Sequence, residues 1–208
     1  MPKLQWTRLN REQAHKVLEQ LGARRDAVVF SKDVTEVTSC SLDFYTNYWL
    51  FRLVNYATMP TFSMTYFSDG SEYISLDGTA NPIYTVNEKS PIQLTEASVA
   101  QYLEFFFSHV QGSEGEVFLI KDPRQMPFMN TLDPTQQQRL MSSVKPITVS
   151  TDSTQNFRVR GTLYYGGELI TSTVVVTPGG RITFQEQIPL LSGIYFPDSP
   201  YDQARLEG

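Results

Sequence analysis

The sequence predicts an α+β protein with an antiparallel sheet, and three observations predict it. The last third of the chain reads as a β-meander, with β-rich runs at Phe157–Tyr165, Glu168–Thr177 and Arg181–Gln187 joined by Gly166-Gly167 and Gly179-Gly180. Tight hairpins need positive φ, which glycine adopts without steric penalty. Three other segments, opened by Asn10, Thr95 and Asp133, place apolar residues at helical spacing behind a capping residue. Finally, 40% of the 208 residues are apolar and only 19% are charged. That balance favours a packed core over a disordered chain.

Asn10 opens the first helix, with Gln13 at the capping-box position, Ala14, Val17, Leu18 and Leu21 as its apolar face, and Gly22 as its stop. His15 borders that face, four residues before Glu19, where a surface ion pair can form. Arg24-Arg25, the densest basic pair, reads as a solvated face that complements the helix dipole. Val28-Val29-Phe30 reads as a short strand, and Phe44–Ala57, rich in aromatics and poor in helix formers, as a long central strand limited by Pro60. Thr61–Phe67 and Glu72–Leu76 flank Ser68-Asp69-Gly70-Ser71, a hairpin turn. Asp77-Gly78 is a second turn, and Pro82–Val86 reads as an edge strand because of its proline.

Thr95 is the expected cap of the second helix, whose Val99, Tyr102, Leu103, Phe106 and Val110 share one face, widened by Phe105 and Phe107. Glu116–Lys121 returns as a strand. Asp133-Pro134 starts a third helix, with Gln136 at the box position, apolar Leu140, Met141 and Val144, and Pro146 as its stop. About three helices are therefore expected to pack on the sheet. One architectural analogy is a curved sheet with helices on its concave side, as in cystatin-like or α+β roll domains; it says nothing of function. Residues 1–190 are expected to form one domain, with two lobes (1–121 and 122–190) as the alternative division, and 191–208 an irregular tail.

Composition narrows the function classes. The net charge is −5, and the seventeen Lys and Arg are scattered along the chain. Phosphate-backbone binding depends on clustered cations, so neither nucleic acid nor an anionic membrane is the expected partner. Cys40 is the single cysteine, which removes an intramolecular disulfide and a cysteine-based zinc site. The N-terminal residues lack an apolar signal core, and no stretch reaches the ~20 apolar residues of a membrane-spanning helix. A soluble, cytoplasmic protein is the expectation.

No motif points to a cofactor or a metal, and none is expected. The two histidines, His15 and His109, show no ligand spacing. Glu104 and His109 are about 140° apart round a helix and would not share a face. Asp69-Gly70, Asp77-Gly78 and Asp122-Pro123 are turn chemistry. Gly112-Ser113-Glu114-Gly115 follows a helix instead of preceding one, so it cradles no phosphate.

The remaining lead is aromatic. Tyr45, Tyr48, Trp49, Phe51, Tyr56, Tyr66 and Tyr73 crowd adjacent predicted strands, and a buried tyrosine needs a partner for its hydroxyl. Arg52 stands among them. Buried, it would need a counter-charge, either Glu72, Asp43 or a bound anion. Arg52, Tyr48, Tyr66 and Tyr73 are thus the candidate ligand-binding residues, and no catalytic residue is assigned. The expected function is a non-enzymatic binding or protein-interaction module for a small, partly apolar ligand or a protein partner. The alternatives are an enzyme with an Asp, Glu or Tyr acid–base group in a cavity, and a structural subunit of a homo-oligomer.

Overall fold

The computed structural model describes residues 4–192 apart from 23, 113, 114, 127, 128, 130 and 131, and apart from the side chains of residues 25 and 125. The expected tail past residue 192, and part of the Gly112–Gly115 and Met126-Pro127 segments, lie outside the described residues. The chain forms two compact units that divide between Gln93 and Leu94. Its class is α+β: the described residues form antiparallel strands, arranged as two five-stranded sheets, and four α-helices. Among the described residues no helix is long and apolar enough to cross a membrane.

The first unit holds a meander of β1 (Thr7–Arg8), β2 (Thr35–Ser41), β3 (Trp49–Asn55), β4 (Phe62–Ser68) and β5 (Tyr73–Ser75), paired in chain order. Helix α1 (Arg11–Leu21) starts on a full capping box between Asn10 and Gln13, as its sequence requires. Its Ala14, Val17, Leu18 and Leu21 pack with Val37, Leu53, Tyr66 and Tyr73 of the sheet. The other face buries Cys40, Leu50 and Phe67, which stand side by side in register.

Three expectations change in this unit. The long aromatic run is a strand only from Trp49 onward. Phe44, Tyr45 and Tyr48 lie in the turn before it, where they bury their rings, that of Tyr45 edge-on to Phe67 at 5.4 Å. Val28-Val29-Phe30 is not a strand but a turn after a short 3₁₀ helix, Arg25–Ala27; Phe30 reaches the core, whereas Val28 stays 79% exposed. Pro82–Val86 is not an edge strand but part of α2 (Asn81–Lys89). A proline in the first helical turn gives up an N–H that has no partner there anyway. Pro82, Ile83, Val86 and Asn87 then bury one helical face.

The second unit carries β6 (Val117–Ile120), β7 (Thr148–Thr151), β8 (Phe157–Tyr165), β9 (Glu168–Val176) and β10 (Ile182–Leu191). The order is β10-β9-β8, with β6 and β7 both paired along the far side of β8. The meander has the expected turns, and β10 runs four residues beyond the predicted Gln187. It does so through two irregularities, one at Glu186, which takes φ +49°, and one at Leu190.

Helix α3 (Val99–His109) packs on β6 and β8. It is preceded by a Thr95–Ser98 turn in which each hydroxyl accepts the other's backbone N–H; the helix therefore starts later than Thr95 as cap would give. Tyr102 is fully buried and donates to the Gly180 carbonyl at 2.6 Å. The meander face carrying Val159, Leu163, Ile170 and Val174 is apolar and buried. The opposite face is polar over much of its area. Helix α4 (Pro134–Ser143), with its own capping box at Asp133, covers one end of it, where Leu140 meets Ile120, Tyr164 and Leu169. The rest carries Arg158, Arg160, Thr171, Thr173 and Gln185, none of them buried.

Candidate ligand groove

The four residues singled out from sequence do not form one site. A strand presents alternate residues to opposite faces. Arg52 stands opposite Thr65, and Tyr66 stands opposite Phe51, so the two side chains leave the sheet on opposite sides. Arg52 is exposed and has no ion pair among the described residues, so it is not the buried cation that its aromatic neighbours imply. Glu72, its expected counter-charge, instead pairs with Lys89.

Tyr66 and Tyr73 do come together, with ring centroids 6.4 Å apart, under α1. The Tyr73 hydroxyl donates to Gln20 at 2.8 Å. Arg24 closes this corner. Its guanidinium bonds Asp26 at 3.1 Å and the Tyr73 carbonyl at 2.7 Å, and it lies 5.9 Å over the Tyr66 ring. It is therefore a structural tie, not a solvated face. Burial, with the Asp26 charge beside it, pushes the Tyr66 hydroxyl up to about 12. Tyr48 is buried on the Arg52 side of the sheet, near Phe67, and donates to Glu72 at 2.8 Å. Burial and that carboxylate raise it far above its ordinary value of 10.

The other chemistry-bearing residues have structural partners. His109 Nδ1 lies 2.8 Å from the Phe105 carbonyl at the end of α3, and Glu104 pairs with Lys121. Burial pushes the Cys40 thiol up. Among the described residues no three His, Cys, Asp or Glu side chains gather as a metal site.

A groove of about 760 Å³ does form, in the second unit, where α4 ends over the sheet. Its wall is Ser142 and Ser143 of α4, followed by Lys145 and Pro146. Pro146 terminates the helix, and the Lys145 backbone N–H then reaches down to Thr162 Oγ1 at 3.4 Å, fixing the segment to the sheet. The floor crosses four of the five strands, β7 to β10. Thr148 of β7 stands opposite Arg160 of β8, and Thr162 opposite Thr171 of β9, which stands opposite Ile188 of β10. These residues share one sheet face because paired positions do. Gly161 admits the chain beside it, since a Cβ there would meet Ile147 at 3.3 Å.

Lys145 and Arg160 form no ion pair among the described residues, although both line the groove. Lys145 follows the C-terminus of α4, where a cation complements the helix dipole; Arg160 has no such account. A smaller recess on the other side of Pro146 contrasts with this. Its cations are already matched, Lys121 by Glu104 and Arg124 by Asp122 at 2.9 Å. The groove's chemistry is therefore two open cations, four hydroxyls from Ser142, Ser143, Thr148 and Thr171, and an apolar side of Pro146, Ile188 and Leu190. The sequence held one sign of it. Phe157-Arg158-Val159-Arg160 alternates apolar and basic, which marks a face with arginines on it. Nothing local brings Lys145 to Arg160. Compared with protein-family models, with curated proteins and with solved structures, the chain matches none.

Proposed function

We propose that the protein is a non-enzymatic binding module and that the groove between α4 and the β7–β10 face receives a ligand with an anionic group. The observation that carries this reading is the pair Lys145 and Arg160, convergent on one recess and lacking a carboxylate partner among the described residues. A guanidinium fork and an ammonium are suited to carboxylate or phosphate, and hydroxyls beside them supply further donors. The volume lies within the ~300–1,000 Å³ common for small-molecule sites. Binding is favoured over catalysis because, among the described residues, no His, Tyr, Asp or Glu lines the groove. The carboxylates with shifted titration among the described residues, Glu19, Asp26, Asp69, Glu72, Asp77 and Asp152, are all held low, away from the neutral range that a general acid needs.

Titrating isotope-labelled protein with propionate and with inorganic phosphate tests the reading by NMR. Amide shifts are expected at 142–148, 160–161 and 171. The double variant Lys145→Ala/Arg160→Ala is expected to weaken binding roughly 10- to 100-fold, the worth of one or two charge-assisted hydrogen bonds. Shifts scattered over the surface, or unchanged in the double variant, would show that the groove is not the site.

A further inference from the structure

The polarity of the groove has a direction. Its cations lie at the β7–β8 end and beside it, in Arg160 and Lys145, with the Thr148 hydroxyl among them. Its apolar side chains from the sheet, Ile188 and Leu190, lie at the β10 end. Strands are about 4.8 Å apart, so β7 to β10 is about 14 Å and β8 to β10 about 10 Å. Ile188 is 52% exposed, a large apolar side chain left facing this recess and water. Pro146 and the stems of Lys145 and Arg160 extend apolar surface between the ends.

We infer that the ligand is a free amphipathic acid, with its anionic head at Lys145 and Arg160 and an apolar chain of about 10 Å running across β9 to Ile188 and Leu190. This rests on the groove being the binding site. A head alone would leave Ile188 wet, and an apolar ligand alone would leave two cations unmatched. A small molecule is favoured over a protein partner because the recess is only about four strands wide. A stable protein interface needs about 800 Å² from each partner.

Calorimetric titration with acetate, hexanoate and decanoate tests this, alongside Ile188→Thr, which keeps a β-branched residue at an exposed strand position. Hexanoate is expected to bind at least about tenfold tighter than acetate. Ile188→Thr is expected to weaken decanoate about fivefold and leave acetate unchanged, with an unaltered thermal transition showing that the fold is intact. Equal affinity for all three acids, each lost in Lys145→Ala/Arg160→Ala, would keep the groove as an anion site and overturn the amphipathic ligand. No binding of any acid would overturn both. An N-acetylated peptide ending in Leu-Phe, binding tighter than decanoate as the free acid and not as the amide, would overturn the small molecule in favour of a chain end.

Discussion

Two arginines of the first unit show how little a residue's sequence neighbours say about its surroundings. Arg52 sits in an apolar run yet is exposed: it shares a sheet face with Leu50, but its cross-strand neighbours Thr38 and Thr65 lie outside the buried row of Cys40, Leu50 and Phe67. Arg24 sits in a basic pair yet is tied to Asp26 and to the Tyr73 carbonyl. Arg24→Ala is expected to destabilise the protein by about 1–2 kcal/mol in urea denaturation, after discounting for partial exposure of both partners. Arg52→Ala is expected to change stability by under about 0.5 kcal/mol, as an ordinary surface substitution does. A reversed order would mean that the tie through Arg24 adds nothing to the fold.

Helix α4 is marginal as an isolated element, since only Leu140 of its ten residues is buried. Its start therefore leans on the Asp133 cap, and Asp133→Ala is expected to cost about 1 kcal/mol by chemical denaturation. The same substitution is expected to raise amide exchange across 134–143, because a short helix frays from an uncapped end. Elements of this kind were readable in advance. Capping boxes at Asn10 and Asp133 and the Gly-Gly turns act within a few residues, so the chain states them locally. Strand β2 was not readable, since Thr35–Ser41 is Thr- and Ser-rich and gains its strand character from lying between β1 and β3. Pro82 was misread because proline suits both an edge strand and a first helical turn. The groove was illegible for a deeper reason: its cations lie fifteen positions apart in the sequence, and it takes the β7–β8 pairing and the Lys145–Thr162 bond to join them.

At the scale of the whole molecule, stability should hold over a broad plateau of pH and fall at both ends. Backbone N–H groups of Ser71 and Glu72 hold Asp69 low, the Thr79 hydroxyl and N–H hold Asp77 low, and Lys89 and Tyr48 hold Glu72 low. A carboxylate held low in the folded state stabilises above its ordinary value, 3.8 for Asp and 4.5 for Glu, and that contribution is lost as pH falls through the lowered value. The tyrosines act in the opposite sense. Tyr48 and Tyr66 are held neutral beyond their ordinary 10, so their contribution is intact below that value and lost as pH rises above it, towards about 12 for Tyr66. The thermal midpoint is expected to be flat between about pH 5 and 9 and to fall on either side. Tyr48→Phe is expected to soften the alkaline fall. A midpoint still unaffected at about pH 10.5–11 would contradict the buried neutral tyrosines.

The irregularity at Glu186 works as a parity device. Before it, Gln185 stands opposite Thr173; after it, Ile188 stands opposite Thr171, with Glu186 as the uncounted residue between. Were Glu186 instead counted into a regular ladder, it would stand opposite Ser172, Gln187 would take the place opposite Thr171, and Ile188 would turn with Ile170 to the buried side of the sheet. The groove would then exchange its hydrocarbon end for an amide without any change to its cations. Deleting Glu186 removes only the uncounted residue, so a chain lacking it is expected to keep Ile188 opposite Thr171, and with it both the affinity for acetate and the preference for longer acids in calorimetric titration. What the molecule selects along the groove is set by leaving one residue of a strand out of the count.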